Sequence, residues 1–206
     1  MPIGDYVGPA DGGCPAEIVK AAGGAEHAGG LCLMLCIVWA VNCSLSTAKT
    51  PGIVWGAMRD NIKSKTGPRY LRQLAQQQAG HTRFFAAGDW FQPASDLVEL
   101  ASRKGRRVCR LAPEDGFATA GDMATRIQQG LKASAAWPPM ALVIFAGKSG
   151  GSHAMAAMAK GGKTFLLDPQ QGVLVIDPAR LQALDGATAE LFAFYKIRKG
   201  LVIPLA

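Results

Sequence analysis

The sequence has little charge, few aromatic rings and no long hydrophobic run. Only 18% of its residues are charged and 7% aromatic, against 49% apolar. A disordered chain pairs low hydrophobicity with dense charge, so that class is excluded. The longest uninterrupted apolar run, Leu31–Val41, covers 11 residues (LCLMLCIVWAV). A helix needs roughly 20 to span a bilayer, so this run reads as a buried helix and no transmembrane segment is expected. The start, MPIGDYVGPADGGCP, lacks the basic stretch and apolar core of a secretory signal peptide. Pro2 after Met1 lacks the glycine that N-myristoylation requires. The expectation is a protein made in the cytoplasm, whose export would use a route without a classical signal. Five cysteines (14, 32, 36, 43 and 109) are an odd number in a mid-sized chain. They argue against a disulfide framework and for thiols that are mostly reduced.

What is present suits one compact domain of 206 residues, able to bury a full core without staples. The net charge of +7 gathers in Lys63–Arg72, Arg103–Arg110 and Lys196–Lys199. Such patches can meet an anionic surface or acidic partner, or simply form a solvated basic face. No zinc-finger spacing, RNP-type aromatics or helix-turn-helix cue accompanies them, so nucleic acid is not an expected partner. Cys32 and Cys36 have a spacing that could chelate, but four soft ligands are not gathered, so neither metal nor cofactor is expected.

Along the chain, residues 1–27 form an irregular leader rich in Gly, Pro and Ala, with a short helix around Ala16–Ala22, and residues 28–206 the domain proper. Leu31–Leu45 is apolar on nearly all faces, as a central helix would be. Pro51 suits the first turn of a helix running to about Ile62. Arg69–Ala79, Ala94–Arg103 and Gly121–Leu131 read as further helices, the last ended by Gly130 or the small residues after it. The second half changes character. Pro139–Ala146, Ser152–Ala159, Lys163–Leu167, Gly172–Ile176 and Leu191–Leu201 are short apolar runs, several set apart by glycine-rich or proline-bearing turns. They predict consecutive strands joined by hairpins. The expectation is an α+β fold: a helical N-terminal half whose central helix packs on a C-terminal antiparallel sheet.

One cysteine stands apart. Cys32 follows Gly29-Gly30 at the start of the central helix, where the helix dipole and unpaired backbone N–H groups favour a thiolate. The glycines permit a sharp turn and close approach to a substrate. Cys36 and Cys43 lie deeper in the helix as inert fillers. A thiolate nucleophile needs a base, and the chain offers His27, His81 and His153. His153 follows a Gly-rich turn at the mouth of a predicted strand, flanked by small residues. An imidazole base needs an acceptor on its other nitrogen. Asp168 ends the next predicted strand, and a hairpin turning at Lys160–Lys163 would bring it beside His153. Asp177, ending the strand after that, is the competing carboxylate. Trp39 reads as a core aromatic. His81 and Phe84-Phe85 with Trp90-Phe91 could line a cleft or pack at a helix–sheet junction.

The Gly-Gly-x-Cys lead-in, Trp39 within the same helix, a distant His-Ala step and a closing Asp-Pro resemble the YopT/AvrPphB family of papain-like cysteine proteases, which bacterial secretion systems inject into host cells. The resemblance spans about residues 28–175. It implies a papain-like fold, no metal or cofactor and a host protein as substrate; the basic charge, read separately, points to an anionic surface near the target, such as a membrane-bound protein. It also implies Cys32 as nucleophile, His153 as general base and then acid, and Asp168 as the residue orienting the imidazole. Papain-like enzymes often place a side-chain amide about six residues before the cysteine to help bind the oxyanion. Glu26 stands there, so His27, the backbone around Gly30 and the N–H of Cys32 are the remaining oxyanion or cleft candidates. The same three residues could serve a deamidase, a peptidoglycan amidase toxin or an acyl transferase. A basic binding module with a structural Cys32 is the reading from another class.

Overall fold

A computed structural model describes residues 5–6, 31–46, 49–79, 94, 96, 115–147, 152–177 and 183–205. The expected helices at Ala16–Ala22 and, save Ala94 and Asp96, at Ala94–Arg103 lie outside the described residues, as do His27, Gly30, His81, Cys14 and Cys109.

In chain order the elements are β1 (Asp5–Tyr6), α1 (Cys32–Leu45), α2 (Pro51–Lys63), α3 (Gly67–Ala79), β2 (Asp115–Phe117), α4 (Ala120–Ala133), β3 (Met140–Gly147), β4 (Ser152–Lys160), β5 (Lys163–Asp168), β6 (Gly172–Ile176), α5 (Ala183–Tyr195) and β7 (Ile197–Pro204). The strands form one sheet in the order β1-β6-β5-β4-β3-β7-β2, every pairing antiparallel. The leader therefore contributes Asp5–Tyr6 as an edge strand on β6.

Local chemistry sets the helix ends. Thr50 accepts a hydrogen bond from the Ile53 N–H and Pro51 opens α2, where its missing donor costs nothing. Thr119 caps α4 by accepting from Asp122 N–H at 3.1 Å, with Asp122 in the first turn and Lys132 in the last, each complementing the helix dipole. Gly130 stays inside α4, which runs on to Ala133. Helix α1 differs from both in having no side-chain cap, and like α2 it has no acid in its first turn. Its stability comes from burial, since Leu33–Ile37, Trp39–Val41 and Cys43 are all buried.

The sheet is covered on both faces. On one, Met140, Leu142, Ile144, Ala154, Ala156 and Met158 pack with α1, α2 and α3. On the other, Ala141, Val143, Phe145, Met155 and Ala157 pack with α4 and α5. Two-sided burial explains why the run at 139–146 is continuously apolar where a half-solvated strand would alternate. Gly161 and Gly162 (φ +57° and +74°) turn the β4–β5 hairpin, a backbone that matches the right-handed strand twist.

The C-terminal segment departs from expectation. Leu191–Leu201 is not one strand: Leu191–Tyr195 completes α5, and β7 begins at Ile197. A five-residue apolar run fits a buried helix turn as well as a strand, and here the helix has already started upstream at Ala183. After α5 the chain returns to pair β7 with β3, so the final strand is not joined by a hairpin to β6.

Gly200 of β7 packs closely against its neighbours. A Cβ there would clash with the Phe117 ring and lie 2.6 Å from the Ile144 carbonyl oxygen. The substitution Gly200→Ala is expected to lower stability by about 1–3 kcal/mol in urea unfolding. A loss below about 0.5 kcal/mol would show that the Phe117 side of the sheet yields freely.

Candidate active site

The carboxyl and imidazole meet across the β4–β5 hairpin. Ala156 pairs with Leu167, so Asp168 follows at the end of β5 while His153 stands near the start of β4. Residues 153, 155 and 157 share the α5 face with 166 and 168, because side chains alternate along each strand. The result is direct: His153 Nε2 lies 3.0 Å from Asp168 Oδ1. Both groups are shielded, the His153 side chain 8% exposed and Asp168 fully buried.

Helix α1 brings the thiol. Cys36 Sγ donates to the Ala154 carbonyl at 3.4 Å, which lays the first turns of α1 over the start of β4. One turn back, Cys32 is half-buried, and its side chain interacts with the His153 ring. Nε2 is engaged by Asp168, so Nδ1 is the ring nitrogen left for the thiol. Cys36 and Cys43 are buried. Burial, with the neighbouring Cys32 and Asp168, pushes the Cys36 thiol well up, and burial pushes Cys43 up to about 12. Of the described cysteines, Cys32 is the one that combines access with a charged partner.

Electrostatics favour the imidazolium. Burial of His153 works against charge, but its interactions with Asp168, which accepts a hydrogen bond from the ring, and with Cys32 outweigh it, raising the pKa to about 10. Asp168 is held from three directions. Its Oδ1 also accepts from Gln170 N–H at 2.8 Å, and its Oδ2 accepts from the Tyr195 hydroxyl at 2.6 Å. The Tyr195 ring stacks on the imidazole at 4.7 Å with a 23° tilt, and Phe145 meets it edge-on at 5.4 Å. Burial, then the Asp168 charge and hydrogen bond, pushes the Tyr195 phenol far up, so its hydroxyl stays a donor.

Asp177, the competing carboxylate, is half exposed and lies 3.7 Å from Lys163 at the far end of the hairpin. Trp39 is fully buried and its indole N–H donates to Pro51 O at 3.1 Å. Gln170 and Tyr195 were not anticipated. Asp168-Pro169 does carry a signal for the first, since an aspartate in a turn accepts from the N–H two residues on. Tyr195 was hidden in the segment read as a strand. Among the described residues no three His, Cys, Asp or Glu gather as a metal site would require, and no helix is long and apolar enough to cross a membrane.

No protein-family model matches the sequence, and no curated protein matches it. The fold does match. The chain superimposes on the crystal structure of the Pseudomonas avirulence protein AvrPphB with a TM-score of 0.60 and 15% identity, covering 85% of this chain and 91% of that one. The α+β, papain-like architecture is thus a known one, shared here at 15% sequence identity.

His153 in this setting is expected to remain an imidazolium at pH 8, where an ordinary histidine is neutral. A ring-nitrogen NMR titration reads this directly, and a midpoint near 6.5 would refute the coupling to Cys32 and Asp168. Because the folded pKa lies above the unfolded one, the stabilisation is complete below pH 6.5 and lost as pH rises through about 10. The stability difference between wild type and His153→Gln should therefore shrink between pH 6 and pH 10.5.

Proposed function

We propose that the protein is a thiol hydrolase, a cysteine peptidase that cleaves a host protein after delivery as a bacterial effector. One observation carries the reading: the half-buried Cys32, at the uncapped N-terminus of α1, interacts with a histidine whose ring is held by a buried aspartate. The avirulence protein with the same fold supports the effector setting.

In the reaction, the Cys32 thiolate adds to the carbonyl carbon of the scissile amide, and the carbonyl electron pair moves onto oxygen. The backbone N–H of Cys32, aligned with the positive end of the helix dipole, faces that oxyanion; His27 and the backbone at Gly30 are the further candidates. As the tetrahedral adduct collapses, His153 gives its proton to the leaving nitrogen, the C–N bond breaks and a thioester remains. Water then attacks the thioester, His153 takes the water proton, and departure of the sulfur restores the ion pair. Asp168 keeps the imidazole oriented through both steps and stays ionised. A protein substrate, reached at an anionic surface by the basic patches, completes the reading.

Labelling and cleavage test it together. Iodoacetamide at pH 7 is expected to alkylate Cys32 selectively, leaving Cys36 and Cys43 intact, and His153→Ala should slow that labelling more than 10-fold. In a eukaryotic cell lysate, wild type should generate new protein N-termini that Cys32→Ala does not. Equal slow labelling of all cysteines, with no new N-termini, would overturn the proposal. New carboxylates from glutamine side chains in place of new N-termini would identify a deamidase on the same residues.

Once a cleaved peptide is in hand, kcat/KM should fall on the alkaline side near pH 10, as the His153 imidazolium loses its proton. In Asp168→Asn that limb should move to lower pH, because the strongest contribution raising the His153 pKa is gone. An unmoved limb would mean that His153 is not the acid.

A further inference from the structure

We propose that Tyr195 is a positioning residue for the His153–Asp168 pair: its hydroxyl fixes the rotation of the Asp168 carboxylate and its ring fixes the plane of the imidazole. The inference rests on the function proposed above and adds to it a residue that acts on Cys32 only through the other two.

A carboxylate bound through one oxygen can still swing about its Cβ–Cγ bond, and each swing carries the acceptor away from the imidazole. Here the two oxygens are held separately. Oδ2 takes the Tyr195 hydroxyl at 2.6 Å, while Oδ1 takes the Gln170 N–H at 2.8 Å and faces His153 Nε2 at 3.0 Å. Short contacts of this kind to a charged acceptor are the strong ones. Fixing Oδ2 therefore leaves Oδ1 aimed at Nε2, which in turn leaves Nδ1 aimed at the thiol.

The ring supplies the second constraint. Tyr195 stacks on one face of the imidazole at 4.7 Å, and Phe145 closes against both rings, 5.4 Å from His153 and 5.3 Å from Tyr195. Phe194 stands edge-on to the phenol at 4.8 Å. A π-face against an imidazolium is also electrostatically favourable. The hydroxyl reaches Gln170 Oε1 at 3.3 Å as a secondary partner.

The backbone holds Tyr195 in place. It is the last residue of α5, and Lys196 directly after it adopts φ +48°, a conformation that side-chain-bearing residues rarely take. That reversal lets β7 start at once, with Ile197 opposite Gly147 of β3, two residues beyond Phe145, which itself pairs with His153. An uncommon backbone turn next to a side chain that touches both members of the pair is where a positioning residue would be secured.

The experiment compares Tyr195→Phe, which keeps the ring, with Tyr195→Leu, which keeps neither ring nor hydroxyl. Two readouts are followed: the rate of Cys32 alkylation by iodoacetamide across pH, and the downfield proton resonance of the His153 ring N–H bound to Asp168. Tyr195→Phe should fold, lose or broaden that resonance through faster exchange with water, and slow alkylation about 10-fold; Tyr195→Leu should slow it about 100-fold. A wild-type resonance and an unchanged alkylation profile in Tyr195→Phe would overturn the proposal. So would a chain that no longer folds after losing one hydroxyl, since that would assign Tyr195 a purely structural duty. Wild-type labelling that is neither selective for Cys32 nor sensitive to His153→Ala would instead sink the function proposed above.

Discussion

The candidate site depends on one contact, the hydrogen bond between His153 and Asp168 across the β4–β5 hairpin. Its existence is a matter of register. With Ala156 opposite Leu167, both side chains fall on the α5 face of the sheet and at the same end of the hairpin. A slip by one residue would send one of them to the α1 face and separate the pair. The turn at Gly161-Gly162 sets that register, at the opposite end of the strands from the chemistry. The site thus inherits its geometry from a turn it does not touch.

Burial makes that contact matter. Asp168 is fully enclosed and would be costly there without donors, yet three surround it: a ring nitrogen, a backbone N–H and a phenol. The same enclosure would keep His153 neutral if it stood alone. The hydrogen bond to Asp168 and the interaction with Cys32 reverse the balance and carry its pKa to about 10. Low local dielectric strengthens each of these interactions at the same time as it penalises any unpaired member. The cluster is therefore cooperative, and each of its groups depends on the rest being present.

Much of this was legible in the chain, and the pattern of success has a physical basis. The hairpin could be read because Gly161-Gly162 lies between two apolar runs, and the position of Asp168 relative to His153 follows from strand geometry alone. The central helix could be read because Leu31–Leu45 is too uniformly apolar for anything exposed. Tyr195 could not. Its segment, LFAFY, is short and aromatic, and such runs suit a buried helix turn and a strand equally; the decision was made by Ala183–Glu190 upstream and by the pairing of β7 with β3. Long-range pairing decided that element, and no local pattern records it. The two-sided covering of the sheet was hidden for the same reason, since α5 supplies part of the second face.

The three described cysteines show how one helix sorts identical side chains by depth. Cys36 and Cys43 are surrounded by the core, and burial above all holds them as thiols. Cys32 sits one turn above Cys36, where α1 emerges beside β4 without a capping side chain or a first-turn acid. A Ser, Thr or Asp cap would have stabilised the helix by about 1 kcal/mol. Among the described residues nothing then offsets the positive end of the helix dipole beside Cys32. The helix can do without that stabilisation because burial of its apolar faces holds it instead. The same apolar character that makes α1 a core helix thus allows its end to remain chemically open, and the hairpin delivers His153 and Asp168 to that end.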